Sequence, residues 1–253
     1  MNADMCSNRN LLRILTLLLP ALMGADPAFA QAAGPSTAPV KTEAAKPAPK
    51  VKFRPPSTGA ASVRVTGGSR GTGASLTTLD VLAPDDIGVT IQEQPSLFWF
   101  QSQPSDASFE LTLLQEGRID PLVQVAVGRS SRAGIQRLKL SDHGGKLVPG
   151  VEYQWVVALV TDPENRSTDL VASGVIKRLE PSAALKQEIA SATPETLANV
   201  YAEAGIWYDA LTVLSDQIDA APGNKGLRQA RADLIQQIGL KAAADAESAL
   251  ADK

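Results

Sequence analysis

The sequence predicts an antiparallel β-sandwich of about seven strands followed by a C-terminal α-helical tail, and three observations carry that prediction. Short apolar runs recur at 87–91, 96–101, 107–114, 121–127, 135–140, 151–161 and 168–179, separated by Pro, Gly, Asp, Ser and Asn. Runs of that length and spacing are the pattern of strands in a sandwich. After the dipeptide EP at 180–181 the period becomes helical. Within the helical part Ala198, Tyr201, Gly205 and Ala210 are answered 34 residues later by Ala232, Ile235, Gly239 and Ala244.

The chain opens on a segment, 1–30, that reads as a secretory signal peptide. Arg9 and Arg13 precede an apolar run at 14–25, and AFA at 28–30 is a small-residue cleavage site before Gln31. The run is too short to span a membrane, and no later stretch approaches the length of a transmembrane helix. Cys6, the single cysteine, lies in this segment. The mature chain is then cysteine-free, which excludes disulfides, thiolate metal sites and a cysteine nucleophile. It must be held by its core, which about 170 globular residues can supply. The single histidine, His143, sits in SDHGG (141–145), which is turn chemistry. Sites built on two or more histidines are thereby excluded.

Residues 31–56 contain six prolines among Ala, Lys, Ser and Thr and read as a disordered linker. Residues 31–79 carry seven basic residues against Glu43, a net +6. With a total of −3 and a neutral signal segment, the remainder carries −9. A basic arm on an acidic body suits contact with anionic envelope polymers, and the acidic body argues against nucleic acid. A Gly-rich lead-in segment follows over 57–86. Its GGSRGTG (67–73) lacks the Lys-Ser/Thr of a phosphate-binding loop and has no helical pattern after it.

The sandwich spans 87–180. In YQWVVAL (153–159), Tyr153, Trp155, Val157 and Leu159 alternate onto one face and should point into the core. Phe98, Trp99 and Phe100 should supply the opposing aromatics. The preceding LVPGVEY (147–153) resembles the turn into the sixth strand of fibronectin type III domains, where a tyrosine hydroxyl bonds back to upstream backbone. Next comes VTDPENRSTD (160–169), which connects the sixth and seventh strands. Its Asp162, Glu164, Arg166 and Asp169 form a candidate ligand loop, since paired carboxylates can do acid–base work without His or Cys. The alternative is a solvated, salt-bridged hairpin loop, because Asp-Pro followed by Asn is turn chemistry. The calcium-loop spacing is not present.

The helical tail covers 182–253, with a first helix at 182–191. Leu197, Ala198, Tyr201, Gly205, Tyr208, Ala210, Leu214 and Pro222 stand at the offsets of a tetratricopeptide repeat. Two such repeats are fewer than the roughly three that bury their own faces, so the tail should dock on the sandwich or on a partner. Trp207 and Tyr208 are the candidate protein-docking residues.

Taken in order, FRPPS (53–57), GGSRG (67–71), YQW (153–155), DPENRS (162–167) and GIWYDAL (205–211) resemble the bacterial family catalogued as domain of unknown function 928. The resemblance covers roughly 53–240. It implies an exported protein and carries no reaction, ligand, cofactor or residue role with it. The residues name no catalytic group, cofactor or metal ligand. The expectation is a non-enzymatic envelope module that binds another envelope protein through its helical tail. A carboxylate-based enzyme or glycan-binding module using the 162–169 loop is the alternative.

Overall fold

The computed structural model describes residues 50–56, 64–68, 77–129 and 131–252. Residues 1–49, which hold the expected signal peptide and most of the expected linker, and residues 69–73 of the glycine-rich stretch lie outside the described residues.

All seven apolar runs of the sandwich become strands: β3 (Gly88–Thr90), β4 (Ser96–Gln101), β5 (Ser108–Gln115), β6 (Val123–Arg129), β7 (Gly134–Lys139), β8 (Glu152–Val160) and β9 (Leu170–Arg178). Two further strands precede them, β1 (Gly67–Gly68) and β2 (Thr78–Val81). They form a four-stranded sheet ordered β1-β2-β4-β7 and a five-stranded sheet ordered β3-β9-β8-β5-β6. Every pairing is antiparallel except that of β3 with β9. The lead-in segment is therefore part of the sandwich: Leu79, Val81 and Leu82 lie fully buried within the core.

Alternation sets the inner faces. Tyr153, Trp155, Val157 and Leu159 of β8 are all buried, as their period of two requires. The Tyr153 hydroxyl accepts a hydrogen bond from the Val148 backbone N–H at 3.1 Å, tying the incoming turn to the strand. Across the sandwich Trp99 of β4 meets Phe109 of β5 edge to face at 5.4 Å. Phe98 and Phe100 alternate to the opposite side of β4, yet they too are buried, because the helices cover that face.

Five helices follow: α1 (Ala183–Ser191), α2 (Pro194–Glu203), α3 (Trp207–Ala220), α4 (Lys225–Gln236) and α5 (Lys241–Ala251). Their starts are written in local chemistry. Ser182 caps α1 by accepting from the Leu185 N–H, and Asn224 caps α4 by accepting from the Leu227 N–H. Thr193 and Thr196 form a capping box ahead of Pro194. Gly205 and Gly239, 34 residues apart, both adopt positive φ, 77° and 79°, in the turns that deliver α3 and α5. At the same spacing Ala198 and Ala232, Tyr201 and Ile235, and Ala210 and Ala244 are all buried. Consecutive helices pack on one another, α3 lies on β3 and β4, and α5 lies on β7.

One expectation needs correction. Residues 50–56, the end of the stretch read as a disordered linker, lie against the helices. Val51 and Phe53 are buried in the common core. The Phe53 N–H donates to Gln237 Oε1, Gln237 Nε2 donates to the Val51 carbonyl, and the Arg54 N–H donates to the Ala202 carbonyl. Among its flanking prolines this piece carries two apolar side chains at alternate positions, and their burial anchors it to the core.

Candidate functional site

The candidate docking pair, Trp207 and Tyr208, opens α3 and lies wholly inside the molecule, each 0% exposed. Trp207 Nε1 donates to the Leu82 carbonyl at 2.8 Å, and its ring meets Phe53 edge to face at 4.9 Å. The Tyr208 hydroxyl accepts from Trp155 Nε1 at 2.9 Å and donates to the Val175 carbonyl. Asp209 completes the run by accepting from Thr90 Oγ1 at 2.6 Å and from the Ile91 N–H. Burial lifts its carboxyl to about 6, against the lowering effect of the Thr90 hydrogen bond. Three successive residues thus key the helices to the sandwich of the same chain. The surface that receives the two rings is the sandwich, one of the two surfaces expected for the tail.

The 162–169 loop runs from β8 through a short 3-10 turn (Arg166–Thr168) into β9. Asp162 and Glu164 are exposed, and Asp162 Oδ1 is turned back to accept from the Glu164 N–H. Arg166 bridges Asp169 Oδ2 at 2.6 Å and Glu110 Oε2 at 3.2 Å. The Asp169 hydrogen bond raises the Arg166 pKa above its ordinary range. Asp162 and Glu164 face solvent in hairpin-turn geometry, whereas the Asp169 carboxylate is buried, its side chain 4% exposed, with Oδ2 in the Arg166 ion pair and Oδ1 without a partner. His143 ends a short 3-10 turn and is exposed. Among the described residues no group of three or more His, Cys, Asp or Glu is placed to hold a metal ion.

A different place is concave and chemically distinctive. Where β6 crosses from one sheet to β7 in the other, the strand ends face α4 and α5 across a cleft of about 560 Å³. Its lining includes Arg129, Arg132, Arg137, Arg228 and Arg231 with one carboxylate, Glu247. Trp99 and Phe109, the inter-sheet aromatic pair, also line it. Arg231 is 7% exposed and donates to Glu247 Oε1 at 2.7 Å and to Ser215 Oγ at 3.1 Å. Arg228 reaches the same Glu247 oxygen at 3.3 Å. Two buried donors have no acceptor there, Arg231 Nε and Trp99 Nε1.

Sequence reasoning did not find this cleft, although two signals were present. The turn between the fourth and fifth runs, GRSSRAG (128–134), is basic. In the 34-residue register Arg231 and Glu247 occupy the positions held by Leu197 and Val213. An apolar pair in one helix pair is thus a buried ion pair in the next.

Together these features define a class: a two-sheet β unit sealed by a layer of stacked helices that share its core. Residues 65–248 match the family described as Domain of Unknown Function (DUF928), and the chain belongs to that family. No curated protein matches. A solved structure of a multi-domain immunophilin from Arabidopsis thaliana is similar over 70% of this chain and 94% of its own, at 12% identity and a TM-score of 0.19.

Proposed function

We propose that the protein is a non-enzymatic binding module of the bacterial cell envelope. In this reading it is exported by its signal peptide, cleaved near Ala30 and Gln31, and placed in the periplasm or secreted. A fibronectin type III-like sandwich carries a tetratricopeptide-like helical layer, and the partner is another envelope protein. The basic arm adds weak attraction to anionic envelope polymers. The buried alanines, the paired positive-φ glycines and the stacking of α2 to α5 at a 34-residue period support the repeat-like reading of the helices.

The observation that carries the proposal is α1. It has no buried residue, although it is capped and presents Leu185 and Ile189 half-covered on one side. Lys186, Gln187 and Glu188 form an exposed outer surface that the fold itself does not use. The groove against α2 and Gln237 is already filled by the chain's own segment 51–54, whereas the outer side of α1 is open to a partner.

The test is a photo-crosslinking amino acid placed singly at Gln187 on α1 or at Gln124 on β6, in the full-length protein exported in its own host. The expected result is one discrete envelope-protein adduct from position 187 and none from 124. Failure to form an adduct at 187, or the same adducts from both positions, would overturn the reading. Truncation before α1 is not a usable test, since it would strip Trp207 and Tyr208 from the core.

A further inference from the structure

We infer that the arginine-lined cleft between the β6–β7 crossing and α4–α5 is a binding site for a small organic anion bearing two or more oxyanion groups, carboxylate or phosphate. Its walls carry guanidinium groups on both sides: Arg129 and Arg132 from the crossing, Arg137 from β7, Arg228 and Arg231 from α4. Guanidinium forks match the planar geometry of carboxylate and phosphate oxygens. Composition does not explain this concentration, because residues 80–253 carry a net −9.

Within the cleft the charges are only partly answered. Glu247 is shared by Arg228 and Arg231, and Asp216 on α3 takes Arg137. Arg129 has no acidic partner among the described residues. The buried Nε of Arg231 and the indole Nε1 of Trp99, itself 1% exposed, both lack acceptors. A buried donor without an acceptor is costly, and native folds rarely keep two in one place without something to receive them. Nor does helix packing demand the ion pair, since the preceding helix pair fills the equivalent positions with Leu197 and Val213. A buried ion pair stabilises little beyond what a well-packed apolar pair would.

Size and polarity narrow the ligand. About 560 Å³ falls within the range of small-molecule sites. Trp99, Phe109, Val127, Ile135 and Leu250 interrupt the charge with apolar surface. A bare inorganic ion would leave that surface unused, whereas a short carbon skeleton with oxyanions at its ends meets both walls.

The indole N–H groups supply the test. Of the three tryptophans, Trp155 and Trp207 already donate to internal acceptors and Trp99 does not. The isotope-labelled full chain is titrated at low ionic strength with citrate and, separately, with fructose 1,6-bisphosphate, and the three indole resonances are followed. One indole resonance should move downfield saturably with at least one of the two anions while the other two stay in place. The better probe then tells carboxylate from phosphate chemistry. Arg129→Gln, an exposed change that leaves the core alone, should weaken that binding about tenfold, the scale of one charge-assisted hydrogen bond. An absence of saturable indole shift with both anions would overturn the site. So would equal movement of all three resonances, or binding unchanged by Arg129→Gln.

Discussion

Asp209 places a carboxylate where water cannot solvate it, with one oxygen held by Thr90 and Ile91 and the other, Oδ1, without a partner. Its pKa of about 6 in the folded chain, against an ordinary 3.8, means that the folded state holds this proton more tightly than the unfolded state. The stability this group contributes is therefore full below about pH 4, falls as pH rises to about 6, and stays low above. The whole effect is at most about 3 kcal/mol. Asp209→Asn removes the titration, so the stability difference between the native chain and this variant should shift in the variant's favour by about 2–3 kcal/mol between pH 4 and pH 7. Parallel pH profiles in urea denaturation would show that Asp209 is solvated after all. Next to it, Tyr208→Phe keeps the ring but leaves the Trp155 indole N–H without an acceptor in the interior. A loss of about 1–3 kcal/mol is expected, read as a lower urea midpoint at unchanged slope.

At the scale of elements, what the sequence made legible follows from periodicity. All seven runs between 87 and 179 are strands, because each carries apolar residues dense enough to declare an inner face. The loop at 162–169 was legible as a loop from its turn residues. β2 was not, because TLDV offers only Leu79 and Val81 around the buried Asp80, inside a stretch dominated by Gly and Thr. Val51 and Phe53 were masked by their prolines. Trp207 and Tyr208 were visible as docking residues, but which surface receives them depends on Leu82, Trp155 and Val175, contributed by three separate parts of the chain. The arginine cleft was invisible for the same reason, since its lining comes from β6, β7, α4 and α5 and has no local spacing.

For the molecule as a whole, sandwich and helices belong to one contiguous core that runs from Val51 to Ala244. Two layers sharing a core should unfold together. The near-ultraviolet signal of Trp99 and Trp155 in the strands and the far-ultraviolet signal of the helices should melt at the same temperature. A chain ending at Pro181 should give neither a folded sandwich nor a cooperative transition, because it uncovers Leu82, Gly88 and Trp155 at once. Two separated transitions, or a well-folded truncated sandwich, would show that the helices are an appendage. The close fit at Gly88, where a Cβ would come within 2.5 Å of the Tyr208 ring, indicates how tightly the two layers meet.

The segment at 51–54 has a consequence for the order of assembly. Its backbone partners are Asn199, Ala202 and Gln237, between about 150 and 190 positions away along the chain. Synthesis proceeds from the N-terminus, so the first piece of the core to leave the ribosome waits for one of the last. Contacts of such long sequence separation close late, after most of the loop entropy has been spent. Until Gln237 arrives, Val51 and Phe53 have no place to go, and their segment stays open and accessible to chaperones.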